Sequence, residues 1–347
     1  MSAIDFSALS DPTGPVLDIS EFQRENLRDT VTAGPARIDY DEHCARLDWF
    51  FSQKLPSAAW LSGKFAGRKA VVIAGGASAK QTIEDVRAKC PTQINMAYRA
   101  AVVDVNKTDW LVKQGIRPDF KVIMEPAAWA CDNLTIDRKT TYLLGATMDP
   151  VVIQRFIKER ATCYFWIPTM REGEKDEIAR KYPGRSYALV AGKSTIGMRT
   201  PDLLNTVLGF SHSELHGYDS CYPPGDDENL YSYPKFTADK HRRRLIVKPK
   251  TQPNVLRCVS NTQMSRQCWE YVDMMIEFAE LIVARKVKPF GITVAGDGAI
   301  PWLAWRQFRH ATPERMQAKY GNCLDFDYAL GKPTEKDEPG YPVVRAA

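Results

Sequence analysis

From residue 69 onward, short apolar runs rich in β-branched residues alternate with segments of helical character. The first run, residues 69–74 (Lys-Ala-Val-Val-Ile-Ala), ends in the small-residue turn Gly75-Gly76-Ala77-Ser78-Ala79, and residues 80–89 then read as a helix. Further strands are expected over 93–97, 120–124, 141–145, 163–167, 186–190, 213–217 and 291–295. Helices are expected over 109–114, 150–160, 195–208, 263–284 and 311–320, and a hairpin over 245–248 and 254–259. Strands separated by single helices require right-handed crossovers, so the expected fold is α/β with a mainly parallel sheet flanked by helices.

A chain of 347 residues leaves room for appendages around such a core. Residues 1–65 read as an N-terminal extension broken by Pro12, Pro15 and Pro35, with a helix over 41–55 where Cys44, Leu47, Phe50, Phe51 and Leu55 recur at helical steps. Residues 66–222 form the expected nucleotide-binding core. Residues 223–330 complete the domain with a loop, a hairpin, a long helix and a last strand, and 331–347 read as a frayed tail.

With 44% hydrophobic and 26% charged residues, the composition is that of a globular protein. No stretch reaches the roughly 18 apolar residues that a bilayer span needs. The first 20 residues lack the basic-then-apolar order of a signal peptide, so a cytoplasmic protein without membrane partners is expected. The eight cysteines contain no CxxC pair and the five histidines no HExxH, which argues against zinc ribbons, redox dithiols and zincin chemistry. The thiols are read as free and buried. The net charge of +5 is mild, and its one basic run is His241-Arg242-Arg243-Arg244. Such a run suits an anionic ligand, or is simply a solvated face; without interleaved aromatics it is a poor nucleic-acid motif.

Four segments carry candidate chemistry. In the Gly75-Gly76-Ala77-Ser78 turn, a strand opens a helix and free backbone amides can hold a phosphate; alternatively the small residues only let helix and strand pack closely. The turn is neither a dinucleotide fingerprint nor a Walker loop. Glu125, in Met124-Glu125-Pro126 beyond a strand's carboxyl end, either meets a ribose, a metal or a leaving group, or is a solvated loop acid. Gly192-Lys193-Ser194-Thr195 places a cation and two potential helix caps at a second strand-to-helix turn. Gly217-Tyr218-Asp219 closes an apolar strand with a carboxylate that could hold Mg²⁺ or act as a base. Asp219 and His241 are the catalytic candidates; Arg242 and Arg244 join the binding set on the same side of a strand.

Together these segments resemble the MptE-like family, which includes archaeal 6-hydroxymethylpterin diphosphokinases and the motility accessory factor glycosyltransferases. The family's Gly-Pro-Ser-Leu-like turn is matched by Gly75-Gly76-Ala77-Ser78-Ala79, and its asparagine strand by Ile94-Asn95-Met96-Ala97. Its Gly-Ile-x-Pro-Asp segment and acid-Pro pair correspond to residues 115–119 and Glu125-Pro126. Its glycine-rich turn and helix correspond to Gly192 through Leu208-Gly209-Phe210, and its Gly-x-Asp pair to Gly217-Tyr218-Asp219 with Tyr222. Ala77 stands where the family has proline, and Glu125 where it has aspartate. The resemblance covers residues 69–300 and implies a Rossmann-like, sialyltransferase-related fold with Asn95 added to the nucleotide-binding set. It implies a nucleotide-dependent transferase, with glycosyl transfer from a nucleotide-activated, sialic-acid-like sugar preferred. ATP- and Mg²⁺-dependent diphosphate transfer to a hydroxymethylpterin-like acceptor is the alternative, and a non-catalytic nucleotide- or nucleic-acid-binding module a third.

Overall fold

A computed structural model describes residues 38–221 except 92, 107, 171–172 and 191–192, the segments 243–247 and 256–260, and residues 262–304 except 297. The chain enters through helix α1 (Tyr40–Ser52), whose start is capped by the Asp39 carboxylate accepting from the Glu42 amide. Leu47, Phe50 and Phe51 are buried against Phe165 and Tyr142 of the sheet, so this part of the extension belongs to the core. Pro56 and Ser57 then run beside Phe165, where the Pro56 carbonyl accepts the Phe165 amide at 2.8 Å. The following turn, Ala58–Leu61, packs on the opposite face of the sheet.

Eight strands form one sheet in the order β10-β7-β1-β2-β3-β4-β5-β6, and every pairing within it is parallel. They are β1 (Lys69–Ile73), β2 (Ala101–Asp104), β3 (Phe120–Ile123), β4 (Thr141–Gly145), β5 (Thr162–Pro168), β6 (Leu189–Val190), β7 (His212–His216) and β10 (Gly291–Val294). This is the Rossmann-like α/β architecture expected from the alternation of elements. The central strands are apolar on both faces because helices cover both. Val71 and Ile73 pack toward α3 (Ile83–Lys89) and α4 (Trp110–Lys113). Val72 points instead into the cluster with α7 (Ile196–Asp202) and α8 (Thr262–Val283). The strand pair β8 (Arg243–Val247) and β9 (Leu256–Ser260) is antiparallel and stands apart from the main sheet.

Several boundaries differ from the sequence reading. The first helix starts at Ser78 and breaks at Thr82, giving α2 (Ser78–Gln81) and then α3. Residues 93–97 form turns, not a strand: the Asn95 side chain accepts the Ala97 amide at 2.9 Å, an Asx turn that competes with extended pairing. The true second strand is the buried Ala101–Asp104 run. Between β4 and β6 lie α5 (Pro150–Lys158), opened by Asp149 and Pro150, and α6 (Glu174–Lys181). The helix after β6 changes to a π-helical turn at Leu203–Leu208 and stops at Gly209, whose φ of 87° suits a residue without Cβ. A short α9 (Ala299–Leu303) follows β10. The helix expected at 311–320 and the tail from 331 lie outside the described residues.

Candidate functional site

The carboxyl end of β1 leans on the carboxyl end of β7. The Ala74 amide donates to the His216 carbonyl at 2.8 Å and the Gly76 amide to the Gly217 carbonyl at 2.9 Å. A Cβ on Gly76 would lie 2.5 Å from the Gly217 carbonyl oxygen and 2.7 Å from Asp219 Oδ2. The glycine is therefore required by the neighbouring strand, which is the packing reading of this turn. Asp219 is buried, 3% exposed, and its Oδ2 accepts the Ser78 backbone N–H at 2.7 Å. The Ser78 hydroxyl donates to the other carboxylate oxygen. The Ser78 amide, one of the candidate phosphate donors of this turn, is thus bonded to the Asp219 carboxylate. Asp219, expected as base or Mg²⁺ ligand, joins the end of β7 to the Ser78 turn, since a buried acceptor is matched to nearby donors.

The second turn is met the same way. Ser194 donates its amide and hydroxyl to the two oxygens of Glu270 on α8, each at 2.8 Å. Arg266 Nε shares that carboxylate at 2.8 Å, and Lys193 Nζ reaches Glu277 Oε2 at 2.6 Å in a buried pair. Thr195 caps α7 through the Met198 amide at 3.4 Å, as its position suggested. Arg199 donates to the carbonyls of Thr169, Val190 and Lys193, and burial pushes its guanidinium down to about 10, leaving it charged at neutral pH. Gly192 lies outside the described residues. The expected cation and hydroxyl of this turn are thus turned toward acids of α8.

Tyr218 connects the two turns. Its hydroxyl donates to the Gly197 carbonyl at 3.0 Å, and burial raises its pKa, so it remains a donor. That carbonyl is open to it because the residue four positions on is Pro201, which has no N–H to give. Tyr218 and Asp219, consecutive in the chain, therefore reach one turn each.

Of the remaining candidates, Glu125 is half-buried just past β3, and the adjoining Pro126 carbonyl accepts from Arg46 Nη1 at 2.7 Å. Arg46 also donates to the Thr147 carbonyl at 2.9 Å, so α1 ties down the loops after β3 and β4. Asn95 is exposed in the turn before β2, at the amino edge of the sheet. Asp119 also sits at that amino edge, where it accepts both Arg99 Nη1 and Nη2. His241 and Arg242 lie outside the described residues, and Arg244 is described only as backbone of β8, paired with Val259.

Sequence reasoning missed a buried ion pair at the carboxyl end of β2: Lys121 Nζ lies 2.8 Å from Asp104 Oδ2, and the Asn106 backbone N–H donates to the other oxygen at 2.9 Å. A lysine inside the apolar run of β3 was the available signal. Also missed was buried His43 on α1, which bonds Glu174 at the start of α6. Among the described residues, the metal-ligating side chains that come together are Asp85, Glu214 and His216, a group without Asp219.

The chain matches no known protein-family model, and no curated protein matches it. Among the described residues, no helix is long and apolar enough to cross a membrane.

Proposed function

We propose that this chain is a nucleotide-dependent transferase that binds its donor over the carboxyl edge of the sheet, where β1 and β7 adjoin. One observation carries the reading: Tyr218 and Asp219 draw the Ser78 turn and the Gly197 turn to the end of one strand. That strand joins the sheet on the side of β1 opposite β2, so the order reverses there, and α/β sheets take ligands at such switch points. The MptE-like resemblance of the same segments supports a nucleotide as ligand.

Lys193 and Lys121 are held by Glu277 and Asp104, so neither is a ready counter-ion for a triphosphate. This favours glycosyl transfer from a donor with few phosphates, such as a cytidine-monophosphate-linked, sialic-acid-like sugar, over ATP-dependent diphosphate transfer, which needs cations around its phosphates. Glu125 is the carboxylate we assign to the ribose or to the acceptor hydroxyl.

Thermal unfolding with ATP, CMP, CMP-linked sugars and UDP-linked sugars, each with and without Mg²⁺, tests the proposal. Stabilisation by CMP-linked sugar, weakened at least tenfold in affinity by Glu125→Gln, is expected. Stabilisation by ATP only with Mg²⁺ would move the assignment to diphosphate transfer, and no response to any nucleotide would overturn it.

A further inference from the structure

Glu214 and His216 project from the same face of β7 toward α3, where they meet Asp85 and Lys89. Two neutral tautomers of His216 are compatible with its contacts. The Thr82 hydroxyl donates its single proton to the Ser78 carbonyl at 3.1 Å. The same oxygen lies 2.9 Å from His216 Nδ1 and accepts from that nitrogen in the Nδ1–H tautomer. In that tautomer the lone pair sits on Nε2, which faces Glu214 Oε1 at 3.2 Å. Two acceptors this close need a positive charge beside them, which the Lys89 ammonium now supplies at 2.6 Å from the same Glu214 oxygen. Burial lowers the His216 pKa against the pull of Glu214 and Asp85, which favours the neutral ring.

We propose that Asp85, Glu214 and His216 form a binding site for a divalent transition ion of the zinc type, with the Lys89 ammonium as its built-in competitor. One ligand atom from each of the three lies within 4.8 Å of the others. A tetrahedral zinc ion with bonds of about 2.0–2.1 Å wants ligand atoms about 3.4 Å apart. Asp85 is exposed on a helix and can rotate inward to meet that spacing. Nitrogen and carboxylate donors suit zinc, and a histidine whose other nitrogen is anchored, as Thr82 anchors this one, is the usual arrangement around such ions. Lys89 Nζ now lies 2.7 Å from Asp85 Oδ2 and 2.6 Å from Glu214 Oε1, so a cation already occupies the carboxylates. Its side chain is 42% exposed and can swing into water when a metal enters. The site adjoins the proposed nucleotide site through His216 and Ser78, and metal titration without nucleotide tests it independently of that reading.

Titration of the chelator-treated full chain with Zn²⁺ by calorimetry, and with Co²⁺ by visible absorption, tests the site. We expect one equivalent to bind, Asp85→Asn to weaken binding at least tenfold, and Lys89→Met to tighten it at least tenfold. Both positions are solvent-exposed, and unchanged metal-free unfolding would show that the fold is kept. The ring ¹⁵N shifts of His216 should move when Zn²⁺ is added. His216 ring shifts that stay unmoved at saturating Zn²⁺ would overturn the site. Binding that survives Asp85→Asn unchanged would belong to the thiols and overturn it too. So would the absence of binding in Lys89→Met.

Discussion

Asp219 accepts the backbone N–H of Ser78 at 2.7 Å across 141 residues of chain, and takes the hydroxyl of the same serine on its other oxygen. A buried carboxylate with both oxygens engaged is costly to alter. Asp219→Asn replaces one acceptor with an NH₂ group that faces a donor, so about 1–3 kcal/mol of stability should be lost. Urea unfolding measures it, and an unchanged midpoint would show that the aspartate is not needed as a joint. Ser78→Ala, which keeps the amide bond, should cost less.

Gly76 and Gly197 both lie in small-residue turns, yet they should respond oppositely to alanine. At Gly76 the new methyl meets a carbonyl oxygen of β7 at 2.5 Å, which only a shift of strand backbone can relieve, so Gly76→Ala should destabilise strongly. At Gly197 the nearest atom is on the Tyr218 ring at 3.5 Å, an ordinary contact. There alanine improves helix propensity by about 0.5–1 kcal/mol. Thermal unfolding of the two variants side by side checks the contrast, and equal effects would refute it.

Lys193 and Glu277 should behave as a coupled pair. Lys193→Met leaves a carboxylate buried without its partner and should cost about 3–5 kcal/mol, while Lys193→Met with Glu277→Leu should recover most of that. The double-mutant cycle, read from urea unfolding, should show a large coupling energy. Additive losses would mean that the lysine acts elsewhere, for example on a bound phosphate.

Alkaline pH should unfold the protein earlier than its charge alone would. Burial pushes the Cys90 and Cys163 thiols from 9.0 to about 12, and the Tyr142 hydroxyl from 10.0 to about 12. These groups stay protonated in the fold and lose protons on unfolding, so their stabilisation is complete below pH 9 and drains away between about 9 and 12. Urea midpoints should fall across that window. Cys163→Ala should flatten the slope by up to one proton, and an unchanged slope would contradict the assignment.

The sheet was legible because its strands are continuous apolar runs, and a run such as Val71-Val72-Ile73 has few other folds open to it. The second strand was misplaced because Ala101-Val102-Val103 is short and follows a stretch, Ile94 to Ala97, that is apolar enough to compete. The Asn95 side chain decides the matter locally by closing a turn. The turns of the site were found, but their partners were not. Nothing local to Ser194 announces Glu270, which arrives 76 residues later on a helix whose register is set by packing. Asp104 and Lys121 escaped for a similar reason, since each looks like an interruption of an apolar strand until the two are seen side by side.

The proline in α7 has a mechanical consequence. By withholding one N–H it leaves the Gly197 carbonyl for Tyr218, while the next residue along the chain grips Ser78. The end of β7 is therefore a yoke with two arms of fixed length. A ligand that pulls on the Ser78 turn must drag the start of α7 with it, and α7 in turn carries Arg199 and the loop after β6. Two sites of contact on one donor would feel each other's strain through a single peptide unit, so tightness at one end cannot be tuned without retuning the other.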